Sequence, residues 1–171
     1  MFDKQIRIYG KHADIIRKYS KDKQGADEQH FLVDDNEGNS KNIYLFENIL
    51  QCYMCAAMIG IISRKKADVD TNRDKTANIF ADILIKNRAN LLRIYQHMIL
   101  MENSEGSVDG TIKKAFSINK TNSDDEEAKV EAYVRGGLEI IDEYFSSCNS
   151  YEDVANKLMD FLDEYGVNID E

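Results

Sequence analysis

The sequence predicts an all-α fold: one domain over residues 1–171, a helical bundle of about five long helices and one short helix. Three observations predict it. Proline, which breaks helix interiors, is absent from all 171 residues. Apolar residues recur at spacings of three and four through most of the chain, the period of a helix face. Helix start and stop signals fall at the edges of these stretches.

The first helix spans Asp3 to about Gln24 and carries Phe2, Ile6, Tyr9, Ala13 and Ile16 on one stripe, with Gly10 an unfavourable interruption. A polar, turn-rich stretch from Gly25 to Asn42 reads as a long loop, and its Phe31-Leu32-Val33 triplet suits a short strand or a tuck onto the core. Tyr44 to about Arg64 is apolar nearly all round, which marks a central helix packed on several sides. A charged hinge leads to a helix from about Asn72 to Met101, with Thr71 as N-cap and Phe80, Ile83, Leu84, Leu91, Ile94, Met98 and Met101 inward. A short helix follows near Thr111 to Phe116. Ser123-Asp124-Asp125-Glu126 is a capping box that opens a helix to about Ser147. Ser150 caps the last helix, which Gly166 ends.

Composition bounds the function. The 43% hydrophobic and 31% charged content is that of a globular chain. The longest apolar run, Met54 to Ile62, is far below the roughly 20 residues needed to cross a bilayer, so no membrane partner is expected. Met1 to Gln5 lacks a signal-peptide core, and three cysteines suit a reducing compartment, which together point to the cytoplasm. The net charge of −9 conceals a polarity. Residues 1–24 hold seven Lys/Arg against three Asp/Glu, residues 60–95 hold eight against four, and residues 121–171 hold three against fifteen. Such segments either neutralise each other across the fold or form an interaction surface.

Few motifs carry chemistry. Arg7-Ile8-Tyr9-Gly10-Lys11-His12 has the spacing Arg-x4-His and resembles the motif of HEPN-type ribonucleases, although Ile8 stands where that family favours a polar residue. The resemblance implies metal-independent RNA cleavage, with His12 moving a proton and Arg7 stabilising charge on the scissile phosphate. Asp68-x-Asp70-x-Asn72 and Glu105-x-Ser107-x-Asp109-Gly110 begin like calcium loops, but Ile79 and Phe116 stand where a bidentate Glu should close them. Cys52-Tyr53-Met54-Cys55 has redox spacing inside the most apolar helix, where cysteines serve as small core residues. No metal site and no cofactor is expected. The basic residues Lys11, Arg17, Lys18, Arg64, Lys65 and Lys66 are the candidates for contact with nucleic acid, yet a pI of about 4.9 disfavours general DNA binding. Arg135-Gly136-Gly137 is the candidate partner-binding feature. Two adjacent glycines inside a helix cost about 2 kcal/mol relative to alanine, a cost offset by close helix contact, a kink or the approach of a partner backbone.

Four strings, Phe2-x6-Tyr9-Gly10-Lys11-His12-Ala13, Ile59-Gly60-Ile61-Ile62-x-Arg64-Lys65, Arg93-Ile94-Tyr95 and Tyr133-Val134-Arg135-Gly136-Gly137-Leu138-Glu139-Ile140, resemble small helical accessory proteins of bacterial phage-defence or DNA-modification gene clusters. The resemblance carries over no functional residue. It implies a non-catalytic accessory subunit in antiviral defence that docks on a larger, nucleic-acid-processing protein and reaches nucleic acid through it. The sequence leaves self-association open.

Overall fold

The computed structural model describes residues 2–21, 31–35, 37–102, 107–117 and 123–166. They form, in order, β1 (Ile6–Tyr9), α1 (Gly10–Tyr19), β2 (Phe31–Asp34), β3 (Ser40–Ile43), α2 (Ile49–Ile62), β4 (Thr76–Ile79), α3 (Ala81–Lys86), α4 (Arg88–Glu102), α5 (Val108–Phe116), α6 (Ser123–Phe145) and α7 (Tyr151–Tyr165). The fold is therefore mixed, mainly helical with two small antiparallel sheets, and not the all-α bundle the sequence predicts.

Each departure has a local cause. Ile6 and Tyr9 satisfy the three-four spacing of the expected first helix, but Ile6 and Ile8 alternate with Arg7, and alternation prevails: Ile6 and Ile8 are buried and Arg7 exposed. Gly10, at φ +57°, turns the chain from strand into α1. β1 pairs with β4 in the register Ile6 to Ile79 and Ile8 to Ala77, which places four apolar side chains against the core. The expected helix over 72–101 is consequently three elements. Its first turn is β4, and α3 ends at Asn87, whose amide and side chain both bond the Ile83 carbonyl. Thr71 is not a cap. Asp70 and Asn72 make successive side-chain turns there instead. Within the expected loop over 25–42, residues 25–30 lie outside the described ones, while β2 and β3 form a hairpin closed by Asp35. The Asp35 carboxylate accepts from the Glu37 and Asn39 amides and pairs with Lys41 at 2.8 Å. These contacts hold its carboxyl far below the usual range.

The later helices lie close to their expected places. Ser150 makes a reciprocal capping box with Asp153, and Gly166 follows the last turn of α7. The Ser123 side chain lies outside what the structure describes. α2 is the central helix, and its main neighbour along its length is α6. The two approach at backbone distance: Gly60 faces the Tyr133 carbonyl, and Gly137 faces the Ala56 carbonyl. Tyr19, Tyr53, Phe2 and Phe145 are the largest fully buried side chains around them. Among the described residues no helix is long and apolar enough to cross a membrane.

Candidate functional site

The charge polarity of the sequence is largely consumed inside the fold. Lys11 reaches Glu139 at 2.7 Å, Lys18 reaches Asp142 at 3.0 Å and Lys65 reaches Glu143 at 2.9 Å, so the basic residues of α1 and of the segment after α2 face the acids of α6. Lys66 pairs with Glu102 at 2.5 Å, Lys4 with Asp124 at 3.2 Å and Lys114 with Glu126 at 3.5 Å. Of the six basic residues singled out for nucleic acid, four are thus ion-paired. Arg17 is half-buried, and Arg64 is exposed at the end of α2. Part of the acidic excess that survives sits on α7, where Glu152, Asp160 and Asp163 are exposed and have no ion pair among the described residues.

The structure separates Arg7 from His12. Arg7 points outward from β1, whereas His12 on α1 is 0% exposed. The His12 Nε2 lies 3.2 Å from Glu139 Oε1, and its Nδ1 has no partner among the described residues. Burial pushes this imidazole below its ordinary value, against the opposing pull of Glu139. A histidine so enclosed holds α1 to α6 and is not placed to exchange a proton with a phosphate bound at Arg7.

Arg7 instead shares a cavity of about 100 Å³ with Arg135 of α6. Arg135 Nε donates to the Ala67 carbonyl at 2.8 Å, and its Nη1 lies 3.8 Å from Glu131 Oε2. Glu131 and Tyr53 also line this cavity, and the Tyr53 hydroxyl is buried with no hydrogen-bond partner among the described residues. Burial raises the Glu131 carboxyl from its ordinary value, against the opposing pull of Arg135. Sequence reasoning missed Tyr53 and Glu131, because a tyrosine in an apolar helix and a glutamate in an acidic one carry no signal of their own. Gly136 and Gly137, the other part of the candidate partner-binding feature, face inward. A Cβ on Gly136 would meet the Lys65 carbonyl and one on Gly137 the Ala56 carbonyl, so the pair serves internal packing and is not presented to a partner.

A wider cavity of about 460 Å³ lies between the start of α2 and α3, lined by Ile49, Leu50, Met54, Ile79, Phe80 and Ile83 and by asparagine and glutamine carboxamides. It has no titratable lining group and so offers no acid–base chemistry. Cys52, Cys55 and Cys148 are free thiols. Burial pushes Cys55 up to about 11 and raises Cys52 and Cys148 as well, which keeps all three protonated near neutral pH. Among the described residues no group of three or more His, Cys, Asp or Glu side chains is arranged to hold a metal. Of the two calcium-like stretches, Asp70 accepts from the Lys11 and Asn72 amides and Ser107 caps α5, while Glu105 lies outside the described residues.

An extended apolar surface bordered by acids without an ion pair among the described residues lies on α7. With successive residues about 100° apart, Val154, Phe161 and Tyr165 fall within about 40° of one another on the covered side. Leu158, Tyr151, Leu162, Ala155 and Met159 continue that apolar sector for about another 100°, and all five are exposed. Met159 is 64% exposed and Leu162 53%. Glu152 and Asp163 border the uncovered part. Comparison with family models, with curated proteins and with solved structures finds no match to this chain.

Proposed function

We propose that this chain is a non-catalytic interaction protein that docks on a larger protein through α7. One observation carries the reading: the apolar sector of α7 is more than three times as wide as the part its neighbours cover, and Glu152 and Asp163, which have no ion pair among the described residues, border the uncovered part. An amphipathic helix that keeps part of its apolar face free is the partner half of a helix-in-groove contact. The border selects the occupant. Glu152 and Asp163 repel a second copy of themselves, whereas a basic amphipathic helical segment meets them with opposite charge. The partner is thus a larger protein displaying such a segment, and the accessory-subunit resemblance makes a nucleic-acid-processing enzyme of an antiviral defence cluster the first to test. The three free cysteines favour a cytoplasmic setting.

The test is an affinity capture from the native host, followed by reconstitution with the captured protein in purified form. The reading expects a stoichiometric complex that Leu158→Asp or Leu162→Asp abolishes without lowering the melting temperature, and whose association rate falls as salt rises. A complex indifferent to both substitutions would place the docking surface elsewhere. A monomer that binds nothing would end the proposal.

A further inference from the structure

We propose that the cavity between Arg7 and Arg135 is a binding site for a small amino-carboxylate zwitterion, a free α-amino acid of about the size of glycine or alanine.

Size sets the first limit. A dry protein cavity of about 150 Å³ takes up benzene, so the roughly 100 Å³ here suits a ligand of about five or six heavy atoms. The walls set the second. Ile8, Val69 and Val134 are apolar, and the charged groups in the lining come from three places: Arg7 from β1, Asp70 from the segment after α2, and Glu131 and Arg135 from α6, with Tyr9 and Tyr53 completing it. The polar groups are under-used. Arg135 commits its Nε to the Ala67 carbonyl, but its contact with Glu131 is a loose 3.8 Å. The Tyr53 hydroxyl has no partner among the described residues although Tyr53 is only 1% exposed. A buried polar group in that state is unfavourable until something bonds it.

Charge decides among ligand classes. A bare oxyanion would suit the two guanidiniums but would face the Glu131 carboxylate. A bare cation would suit Glu131 but would face Arg7 and Arg135. A zwitterion satisfies both, with its carboxylate between the guanidiniums and the Tyr53 hydroxyl and its ammonium on Glu131. Asp70, the other acid in the lining, is engaged by the Lys11 and Asn72 amides and adds negative potential on the ammonium side of the balance. Its contacts cap α1 and are unchanged by the ligand. The apolar walls then take a hydrogen or methyl side chain. The site is independent of the α7 surface.

The experiment is a two-dimensional amide NMR titration of the full chain with L-alanine, and with acetate, methylammonium and inorganic phosphate as comparators. The expected result is a saturable shift at Ile8, Tyr53 and Val134 with L-alanine, and binding of acetate and methylammonium weaker by about tenfold or more, the worth of one charge-assisted hydrogen bond. Arg7→Ala weakens L-alanine binding by about the same factor. Arg7 is exposed on its strand, so this variant keeps the fold, which its amide spectrum verifies. Glu131→Gln narrows the preference for L-alanine over acetate. Acetate or phosphate binding as tightly as L-alanine would make this a plain anion site and overturn the proposal. The absence of saturable shifts at these residues with every probe would show a cavity filled by water alone, and would overturn it too.

Discussion

Gly137 on α6 lies against the backbone carbonyl of Ala56 on α2, with no room between them for a Cβ. Gly60 makes the converse contact with the Tyr133 carbonyl, so the two helices touch through backbone at both places. Replacing either glycine by alanine gains about 1 kcal/mol in helix propensity. It also forces a methyl group against a carbonyl oxygen that belongs to a rigid helix, an overpacking strain of about 1–3 kcal/mol or more. Strain prevails. Gly137→Ala and Gly60→Ala are expected to lower the urea midpoint, whereas alanine at the solvent-facing Asn156 of α7 leaves it unchanged. A rise in the midpoint for Gly137→Ala would show that α2 and α6 are farther apart than described.

His12 makes stability depend on pH. Its folded value is depressed by burial, so the folded state resists protonation while the unfolded chain takes up a proton near the ordinary value of 6.5. Stability is therefore complete above that value and falls as pH drops below it, towards the depressed folded value. Glu139 acts in a separate, lower window. Burial opposes its ionisation, but the Lys11 and His12 hydrogen bonds outweigh it and hold the carboxyl below 4.5, so its contribution is lost only as pH falls through that region. Urea melts at pH 7.5 and 5.5 are expected to show a loss of stability that His12→Gln reduces. An identical loss in the variant would assign the dependence to another group.

The elements that were legible in the sequence are those whose signal is local. α2 announces itself as an unbroken apolar run, and α7 by Ser150 at one end and Gly166 at the other. β1 and β4 could not be read in this way. Each is four residues long, too short to establish a period, and each owes its existence to a partner about seventy positions distant. Gly136 and Gly137 signalled a close approach, but what they approach, the Ala56 and Lys65 carbonyls, is a tertiary fact. The charge polarity was visible, but which part of it survives depends on Lys11, Lys18 and Lys65 meeting α6 and nothing basic meeting Asp160. Arg7 and Arg135 each drew attention for unrelated reasons, and only the pairing of β1 beside α6 puts them on one cavity.

Asp142 supports two groups of unequal worth. Its Oδ1 accepts from the Tyr19 hydroxyl at 2.7 Å and from Lys18 at 3.0 Å. Tyr19 is fully buried, and burial together with this bond drives its phenol well above the ordinary range. Lys18 is partly solvated, and a pair of that kind contributes about 0–1 kcal/mol. Removing the acceptor of a buried hydroxyl costs about 1–3 kcal/mol. Asp142→Ala is accordingly expected to destabilise clearly more than Lys18→Ala in chemical denaturation. Equal losses would mean that the ion pair, and not the tyrosine, is what Asp142 serves.

Tyr53 offers the opposite case, a buried hydroxyl with no hydrogen-bond partner among the described residues. Phenylalanine keeps the ring and its packing and removes the unsatisfied group. The unpaired hydroxyl stands to cost about 1 kcal/mol or more in the folded state, so Tyr53→Phe is expected to raise the melting temperature by about 2–4 °C for a chain of this size. The same substitution takes away one donor to the ligand carboxylate in the cavity and weakens L-alanine binding. Stability and binding then move in opposite directions, the signature of a group held unsatisfied for a ligand. A melting temperature that falls in Tyr53→Phe would show that the hydroxyl already has a partner in the empty protein, and that its placement serves the fold alone.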